Sequence, residues 1–182
     1  MNPFVLDTER LRLRELTLED VDDLQQVLGD QLAMRFYPHP FSREEVIAWI
    51  QWSRRSYAEN GHGLWGMVLK ETGELVGDCG LVVQDVDGDR LVEVGYHVKP
   101  AHQRQGLASE AAEACRDHAF REVGVDRLIA LIHPGNTPSR GVAERIGMGV
   151  WKSTERRDLP HLVYAITRDE WTERLDKPRN GV

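Results

Sequence analysis

One segment, VEVGYHVKPAHQRQGLASEAAEACRDHAF at residues 92–120, limits the possible folds of this chain more than any other. Its first part predicts a strand that runs to Val98, and Pro100 ends this strand because proline cannot donate a hydrogen bond to a sheet. Its second part predicts a helix from Gly106 to about Val123. Small residues form one face of this helix: Ala108, Ala111, Ala112, Cys115 and Ala119. Such a face predicts close packing of the helix on a sheet.

The rest of the chain carries signals for both strands and helices. Capping boxes, which close the start of a helix, are predicted at Thr17–Asp20 and Ser42–Glu45. A further helix is expected at residues 138–146, and strands are expected at ERLRLREL, LWGMVLK, ELVGDCGLVV, RLVEVGYHV, DRLIALIH, GVWKSTE and HLVYAIT. Strands and helices intermix, and a long crossover helix lies between two buried strands. We therefore predict an α/β or α+β domain with a mixed sheet.

The composition is that of a globular chain. Of the 182 residues, 41% are hydrophobic and 29% are charged, which is enough for one sizeable core. We expect a single domain at residues 1–170, with a helix end and a tail at residues 171–182. The N-terminus has no signal-peptide pattern, and no apolar run approaches the ~18 residues of a membrane span. The two cysteines do not form a CxxC motif, so we expect a cytoplasmic, reduced protein.

The charge of the chain narrows the classes of partner. A net charge of −7 disfavours nucleic acid, because binding to nucleic acid depends on neutralising phosphates. The same acidity favours cationic partners weakly, and solubility explains it better. The seven histidines show no metal-ligand spacing, so we expect no metal site. We expect no membrane partner, and the sequence leaves monomer and homodimer open.

The loop between the predicted strand and helix has the features of an anion site. The first N–H groups of a helix lack helical partners and lie at the positive end of its dipole. Gly106 has no Cβ, so a ligand can approach the backbone there. Arg104 and the amides of residues 105–108 could surround a pyrophosphate. An ordinary turn with solvated polar residues explains this pattern equally well on these grounds alone.

Three motifs, in order along the chain, resemble those of the GCN5-related N-acetyltransferase (GNAT) superfamily. QRQGLA at residues 103–108 matches the signature Q/R-x-x-G-x-G/A. NTPSRGVAERIGM at residues 136–148 and TERLRLRELTLEDVDDL at residues 8–24 are similar to segments of its ribosomal-protein-alanine acetyltransferase (RimJ/RimL-type) branch. The resemblance covers roughly residues 5–170.

The resemblance implies a fold, a reaction and a set of binding residues. The fold would be a mixed, mostly antiparallel sheet of about seven strands flanked by helices, with a splayed cleft between two central parallel strands. The reaction would be direct transfer of an acetyl group from acetyl-CoA to a primary amine, either a protein or peptide N-terminus or a small amine. The residues implied in acetyl-CoA binding are Tyr96, His97, Val98, Gln103, Arg104, Gln105, Gly106, Leu107, Ala108, Asn136 and Ser139.

Glu93 is the best candidate for the catalytic base. An amine is protonated at neutral pH and must lose a proton before it can attack a thioester. Glu93 lies in the middle of the predicted strand, on the same face as His97. The resemblance adds that the matching glutamate is often proposed for this role. A solvated or salt-bridged carboxylate is the structural alternative, and His97 is the competing base.

The resemblance gives no clear catalytic acid. Many members of the superfamily use a tyrosine seven residues after the asparagine that matches Asn136, and this chain has Ala143 there. Ser139 is then the nearest donor for the leaving thiolate, although it could serve only as a serine at a helix start.

The acceptor side is the least specified part of the sequence. The resemblance implies that residues 33–46, AMRFYPHPFSREEV, shape the acceptor pocket, with Phe36, Tyr37 and Phe41 as either wall residues or core anchors. Two alternatives to an enzyme stay open. The missing tyrosine favours a non-catalytic module that binds or senses acyl-CoA, whereas Glu93 disfavours it. The phosphate-loop signature disfavours an interaction domain without a cofactor.

Overall fold

A single sheet organises the structure, a computed structural model that describes residues 4–176. Eight strands of these residues lie in the order β1-β2-β3-β4-β5-β6-β8-β7. All neighbours are antiparallel except β5 and β6, which are parallel. The strands are β1 (Phe4–Asp7), β2 (Leu11–Arg14), β3 (Leu64–Leu69), β4 (Leu75–Val86), β5 (Asp89–Val98), β6 (Arg127–Ile132), β7 (Gly149–Arg156) and β8 (Leu159–Thr167). The mixed, mostly antiparallel sheet is therefore confirmed.

The predicted cleft between parallel strands is present. β5 and β6 pair at two positions only, Val92 with Leu128 and Glu93 with Ile129. Beyond these pairs β5 continues to Val98, β6 continues to Ile132, and the two strands diverge. The backbone edge of β5 that faces β6 is consequently left without a strand partner after Glu93.

Five α-helices flank the sheet in the described part of the chain. The capping boxes at Thr17–Asp20 and Ser42–Glu45 are both formed, and the second one opens the longest helix. The helix expected at residues 106–123 is an α-helix followed by a π-helical turn at Ala119–Val123. The helices are α1 (Val21–Leu28), α2 (Arg43–Asn60), α3 (Leu107–His118), α4 (Thr137–Arg145) and α5 (Arg168–Asp176).

Helices α2 and α3 cover opposite faces of the sheet. Successive residues of a strand point to opposite faces. On β4, the side chain of Asp78 contacts Trp49 of α2, and that of Cys79 contacts Cys115 of α3. The predicted small-residue face of α3 is confirmed, because Ala111, Ala112, Cys115 and Ala119 are completely buried.

The C-terminal helix α5 is anchored by Trp171. Its ring stacks on Phe120 with 5.0 Å between centroids, and its Nε1 donates to Asp117 Oδ1 at 2.8 Å. Of the helix end and tail predicted at residues 171–182, the helix end is present to Asp176, and residues 177–182 lie outside the described residues. The domain boundary at residue 170 stays a prediction. Within residues 4–176 no helix is long and apolar enough to cross a membrane.

Gly80 on β4 tests how closely the central strands pack. A Cβ at Gly80 would lie 2.0 Å from the carbonyl oxygen of Gly63 and 2.8 Å from Cα of Leu64, and both neighbours are backbone atoms. We expect Gly80→Ala to lower the free energy of unfolding by about 1–3 kcal/mol, measured by urea denaturation. The control is Gly149→Ala, where no atom lies within 4 Å of the new Cβ. An equal effect of the two substitutions would contradict close packing at Gly80.

Candidate active site

A cleft of about 1420 Å³ opens where β5 and β6 diverge. Its remaining walls are the loop before α3, the start of α4, the segment between α1 and α2, part of α2 and the turn between β7 and β8. Of the site residues predicted from the sequence, Gln105 alone does not border it. The residues that do are Glu93, Tyr96, His97, Val98, Gln103, Arg104, Gly106, Leu107, Ala108, Asn136 and Ser139.

The loop before α3 has the geometry of an anion site. Gly106 is the N-cap of α3 with φ +82°, and it has no side chain that could cap the first turn. The N–H groups of that turn precede the first helical acceptor, so they are available to a ligand. Arg104 also has a left-handed φ, +62°, and its side chain borders the cleft.

A network that the sequence did not predict holds this loop in place. Arg10 donates from Nη1 to the carbonyl oxygen of Gln105 at 2.9 Å and from Nε to Glu110 Oε2 at 2.7 Å. The other oxygen of Glu110 accepts from Thr8 Oγ1 at 2.6 Å. The turn between β1 and β2 therefore braces the first turn of α3. Gln105 does not border the cleft, but its carbonyl oxygen accepts the hydrogen bond from Arg10 that braces the loop.

A second set of contacts ties α4 to β5. Tyr96 donates its hydroxyl to the carbonyl oxygen of Ser139 at 2.7 Å. Asn136 is the N-cap of α4, and its Oδ1 accepts from the N–H of Ser139 at 3.3 Å. Ala143 is completely buried in the main core, so the position of the missing tyrosine brings no side chain into the cleft.

Glu93 lies at the point where the strands separate. Its Oε1 accepts from the N–H of Leu131 at 3.3 Å, and its Oε2 accepts from Gln84 Nε2 at 2.6 Å. The Oε1 of Gln84 in turn accepts from Arg156 Nη2 at 2.9 Å. Burial raises the pKa of Glu93 above its ordinary value, although these hydrogen bonds and the charges of Arg156 and His97 oppose that shift. A carboxyl group with a raised pKa in a cleft is suited to accepting a proton.

His97 belongs to a buried polar network. Its Nδ1 is 2.7 Å from Oδ1 of the completely buried Asp78, and its Nε2 is 2.6 Å from the hydroxyl of Tyr37. Asp78 Oδ2 accepts from Trp49 Nε1 at 2.8 Å. Burial alone would lower the pKa of His97, but Tyr37 and Asp78 outweigh it and raise the pKa to about 10. The raised pKa favours the protonated form of His97, so His97 is a poor candidate for the base.

The aromatic residues predicted to shape the acceptor pocket all border the cleft. Phe36 stacks on His133 with 5.1 Å between ring centroids. Tyr37 contacts His97, and Phe41 packs edge-on against Trp49 at 5.5 Å. They are wall residues, and Tyr37 and Phe41 also pack against the smaller core under α1 and α2.

Sequence reasoning missed Asp78, Gln84 and Arg156. One signal pointed to Asp78, since a carboxylate in the otherwise apolar strand ELVGDCGLVV calls for a buried partner. Gln84 and Arg156 lie near strand ends with many other polar residues, and nothing in the sequence distinguishes them.

Comparisons with known proteins agree with this geometry. A family model described as "Acetyltransferase (GNAT) domain" matches residues 10–149. The uncharacterized protein YkkB of Bacillus subtilis is 36% identical over 160 residues, which cover 87% of this chain and 93% of YkkB. The uncharacterized N-acetyltransferase p20 of Bacillus licheniformis is 34% identical over 136 residues, which cover 74% of this chain and 76% of p20.

Solved structures have the same fold. The crystal structure of an acetyltransferase from Agrobacterium tumefaciens superimposes with a TM-score of 0.80 at 29% identity, covering 92% of this chain and 96% of that one. RimL, a ribosomal L7/L12 α-N-protein acetyltransferase, superimposes with a TM-score of 0.76 at 19% identity, covering 92% of this chain and 95% of RimL. At that identity the second likeness shows the fold alone.

The contact between Asp78 and His97 can be tested through the pKa of His97. We expect Asp78→Asn to lower the pKa of His97 by roughly one unit or more, because the charge facing Nδ1 is lost. The Cε1 proton resonance of His97 in NMR spectra reports this titration. Exposed Asp89→Asn is the control and should leave the titration unchanged. An unchanged His97 titration in Asp78→Asn would contradict the pairing.

The same pair predicts a pH dependence of stability. The folded-state pKa of His97, about 10, lies above the unfolded value of about 6.5. His97 therefore stabilises the fold fully below pH 6.5, and this contribution is lost as the pH rises through about 10. In Asp78→Asn the loss should occur at lower pH in urea denaturation series. The Asp89→Asn control should show the same pH dependence as the wild-type protein. A free energy of unfolding that rises between pH 6.5 and 10 in both proteins would count against the pairing.

Proposed function

Since this chain belongs to the GNAT acetyltransferase family, we propose that its cleft transfers the acetyl group of acetyl-CoA directly to a primary amine, with Glu93 as the base. The observation that carries the proposal is the position of Glu93 where β5 and β6 diverge. Its pKa is raised, and both of its carboxylate oxygens accept hydrogen bonds. Bound acetyl-CoA supplies the thioester that the amine attacks.

The residues around the cleft fit a pyrophosphate and a pantetheine chain. The uncapped first turn of α3, with Gly106 and Arg104, offers amide donors and a positive charge to the pyrophosphate. The unpaired edge of β5 at residues 94–98 offers backbone groups to the amides of the chain. The carbonyl oxygen of Val98 already accepts from Gln103 Nε2 at 3.1 Å, so we propose Tyr96 and His97 as the strand's contributors. Leu107, Ala108 and Asn136 would complete the walls.

Glu93 would take the proton of the attacking amine, directly or through a water molecule. A general base is most effective when its pKa lies near the working pH, and burial shifts the pKa of Glu93 in that direction. His97 is less suited to this role because the carboxylate of Asp78, 2.7 Å from its Nδ1, favours the protonated form. We assign His97 to holding Tyr37 at the wall of the cleft.

Ser139 would stabilise the leaving thiolate. Its backbone groups are used by Tyr96 and Asn136, whereas its hydroxyl has no hydrogen-bond partner within residues 4–176. It borders the cleft at the start of α4. The buried Ala143 favours the alternative of an acyl-CoA-sensing module, and an assay that detects acetyl transfer to any amine decides between the two.

Two further points are proposals. The acceptor is a protein or peptide N-terminus or a small amine, in line with the branch that the motifs resemble. We also propose a cytoplasmic location, on the basis of two cysteines outside any CxxC motif, and either a monomer or a homodimer.

We expect Glu93→Gln to lower kcat by about 100-fold or more, since a general base contributes on that scale. The affinity for acetyl-CoA should change little. Activity should partly return at high pH, where the amine loses its proton without help. Initial rates from pH 6 to about 10 check both points, with Glu155→Gln on the exposed side of β7 as the control.

Glutamine at position 93 also disturbs its neighbours, so the pH dependence is the decisive result. Glutamine has only one acceptor oxygen, so its NH₂ group would face either Gln84 Nε2 or the N–H of Leu131, and one of these hydrogen bonds would be lost. A purely structural loss of activity would persist at all pH values. Full activity of Glu93→Gln at neutral pH would assign the proton transfer to another group.

Gly106→Glu tests the pyrophosphate loop. The substitution brings bulk and negative charge into the anion site, so we expect acetyl-CoA binding to be lost in titration calorimetry. The matched control is Gly124→Glu, which adds the same charge at a similar φ, +80°, beyond the other end of α3. Both variants should lose similar stability, because both strain a left-handed position. Equal affinities of the two variants for acetyl-CoA would remove this loop from the site.

A further inference from the structure

The charge lining the cleft is opposite to the charge of the whole chain. The net charge is −7, yet the wall formed by the segment between α1 and α2, by α2 and by the β7–β8 turn contains four arginines. Within residues 4–176, the cleft is lined by two carboxylate residues, Glu93 and Glu45, and Glu45 contacts His39 at 2.8 Å. The four arginines are Arg35, Arg55, Arg156 and Arg157.

None of these four arginines has an ion-pair partner within residues 4–176. Arg35 donates to the carbonyl oxygen of Leu32 and lies over the ring of Phe36. Some other arginines that are buried or partly buried among residues 4–176, such as Arg14 and Arg116, have a carboxylate partner. Of the four, only Arg156 is partly buried, and the other three are exposed to solvent. A partly buried cation without a carboxylate partner is stabilised when an anion binds it.

Arg156 is the arginine closest to the proposed chemistry. It is partly buried at the end of β7, and its Nη2 donates to Gln84 Oε1 at 2.9 Å. The same Gln84 amide donates to Glu93, so a single amide group separates the guanidinium from the proposed base. A guanidinium has five N–H donors in a planar fork that matches a carboxylate. The remaining donors of Arg156 have no hydrogen-bond partner among the described residues.

We infer that the acceptor is an amine that also carries a carboxylate a few bonds away, and that Arg156 binds this carboxylate while Glu93 faces the amine. The inference rests on the proposed function. An α-amino acid has this arrangement, and so does a peptide that begins with an acidic residue. The shared chemistry is a primary amine beside a carboxylate.

The same charges disfavour polycationic acceptors. A polyamine or an aminoglycoside would bring several positive charges toward Arg55, Arg156 and Arg157. Of the two carboxylates that line the cleft, Glu45 already contacts His39, which leaves Glu93. Like charges at short range in a cleft repel more strongly than they do in water. Such amines should therefore be poor substrates.

The test compares acceptors that differ only in the carboxylate. In the first comparison, kcat/KM for a free amino acid is compared with kcat/KM for its amide. In the second, peptides that begin with Asp or Glu are compared with peptides that begin with Asn or Gln. Each kcat/KM is calculated from the concentration of the unprotonated amine. We expect wild-type protein to prefer the carboxylate by about 10- to 100-fold, the scale of a hydrogen bond to a charged group. Arg156→Met should reduce this ratio to near one, and Arg156→Lys should give an intermediate ratio. Preference for amino acids or for acidic peptides would each support the inference and identify the source of the carboxylate.

Arg54→Met is the matched control. It removes one positive charge from α2, beside Arg55 of the cleft wall, but Arg54 itself does not border the cleft, so the ratio should stay at the wild-type value. A ratio near one in wild-type protein, or rapid acetylation of polyamines, would overturn the inference and leave the proposed function intact. Weaker acetyl-CoA binding by Arg156→Met would also overturn it, since the arginine would then serve the cofactor. Absence of transfer to every amine would instead overturn the proposed function.

Discussion

The divergence of β5 and β6 is the constraint on which the rest of the structure depends. Their pairing ends at Glu93, and the N–H of Leu131 then loses the backbone acceptor that a continued ladder would supply. The side chain of Glu93 takes that role. One residue thus satisfies the broken sheet and presents a carboxylate to the opening. The free edge of β5, the volume of the cleft and the position of the proposed base all follow from this one interruption of the sheet.

The sequence predicted the parts of the structure that local residues determine. Ser42 and Glu45 start α2 because both hydrogen bonds of a capping box lie within one turn. Ala111 and Ala112 pack on the sheet because small residues at helical spacing allow close approach. The left-handed N-cap at Gly106 was also predictable from its residue type. β1 was missed, because its four residues carry too short an apolar pattern to be recognised.

The sequence did not predict interactions between residues far apart in the chain. Arg10 and Glu110, Tyr37 and His97, and the contacts of Gln84 with Glu93 and Arg156 depend on the final packing of the strands. The net charge of the chain did not predict the charge of the cleft, for a related reason. The net charge averages over the whole surface, whereas the cleft collects arginines from α2, the β7–β8 turn and the segment before α2.

The contacts that brace the proposed cofactor loop and those that line the proposed acceptor wall share no residues. Thr8, Arg10 and Glu110 support the loop before α3, whereas Arg55 and Arg156 belong to elements on the other wall. Substitutions in the second group can accumulate without disturbing the first. Descendants of one ancestral gene could therefore keep a common acyl donor while their acceptors diverge, and similarity along residues 103–108 would reveal little about which amine each descendant modifies.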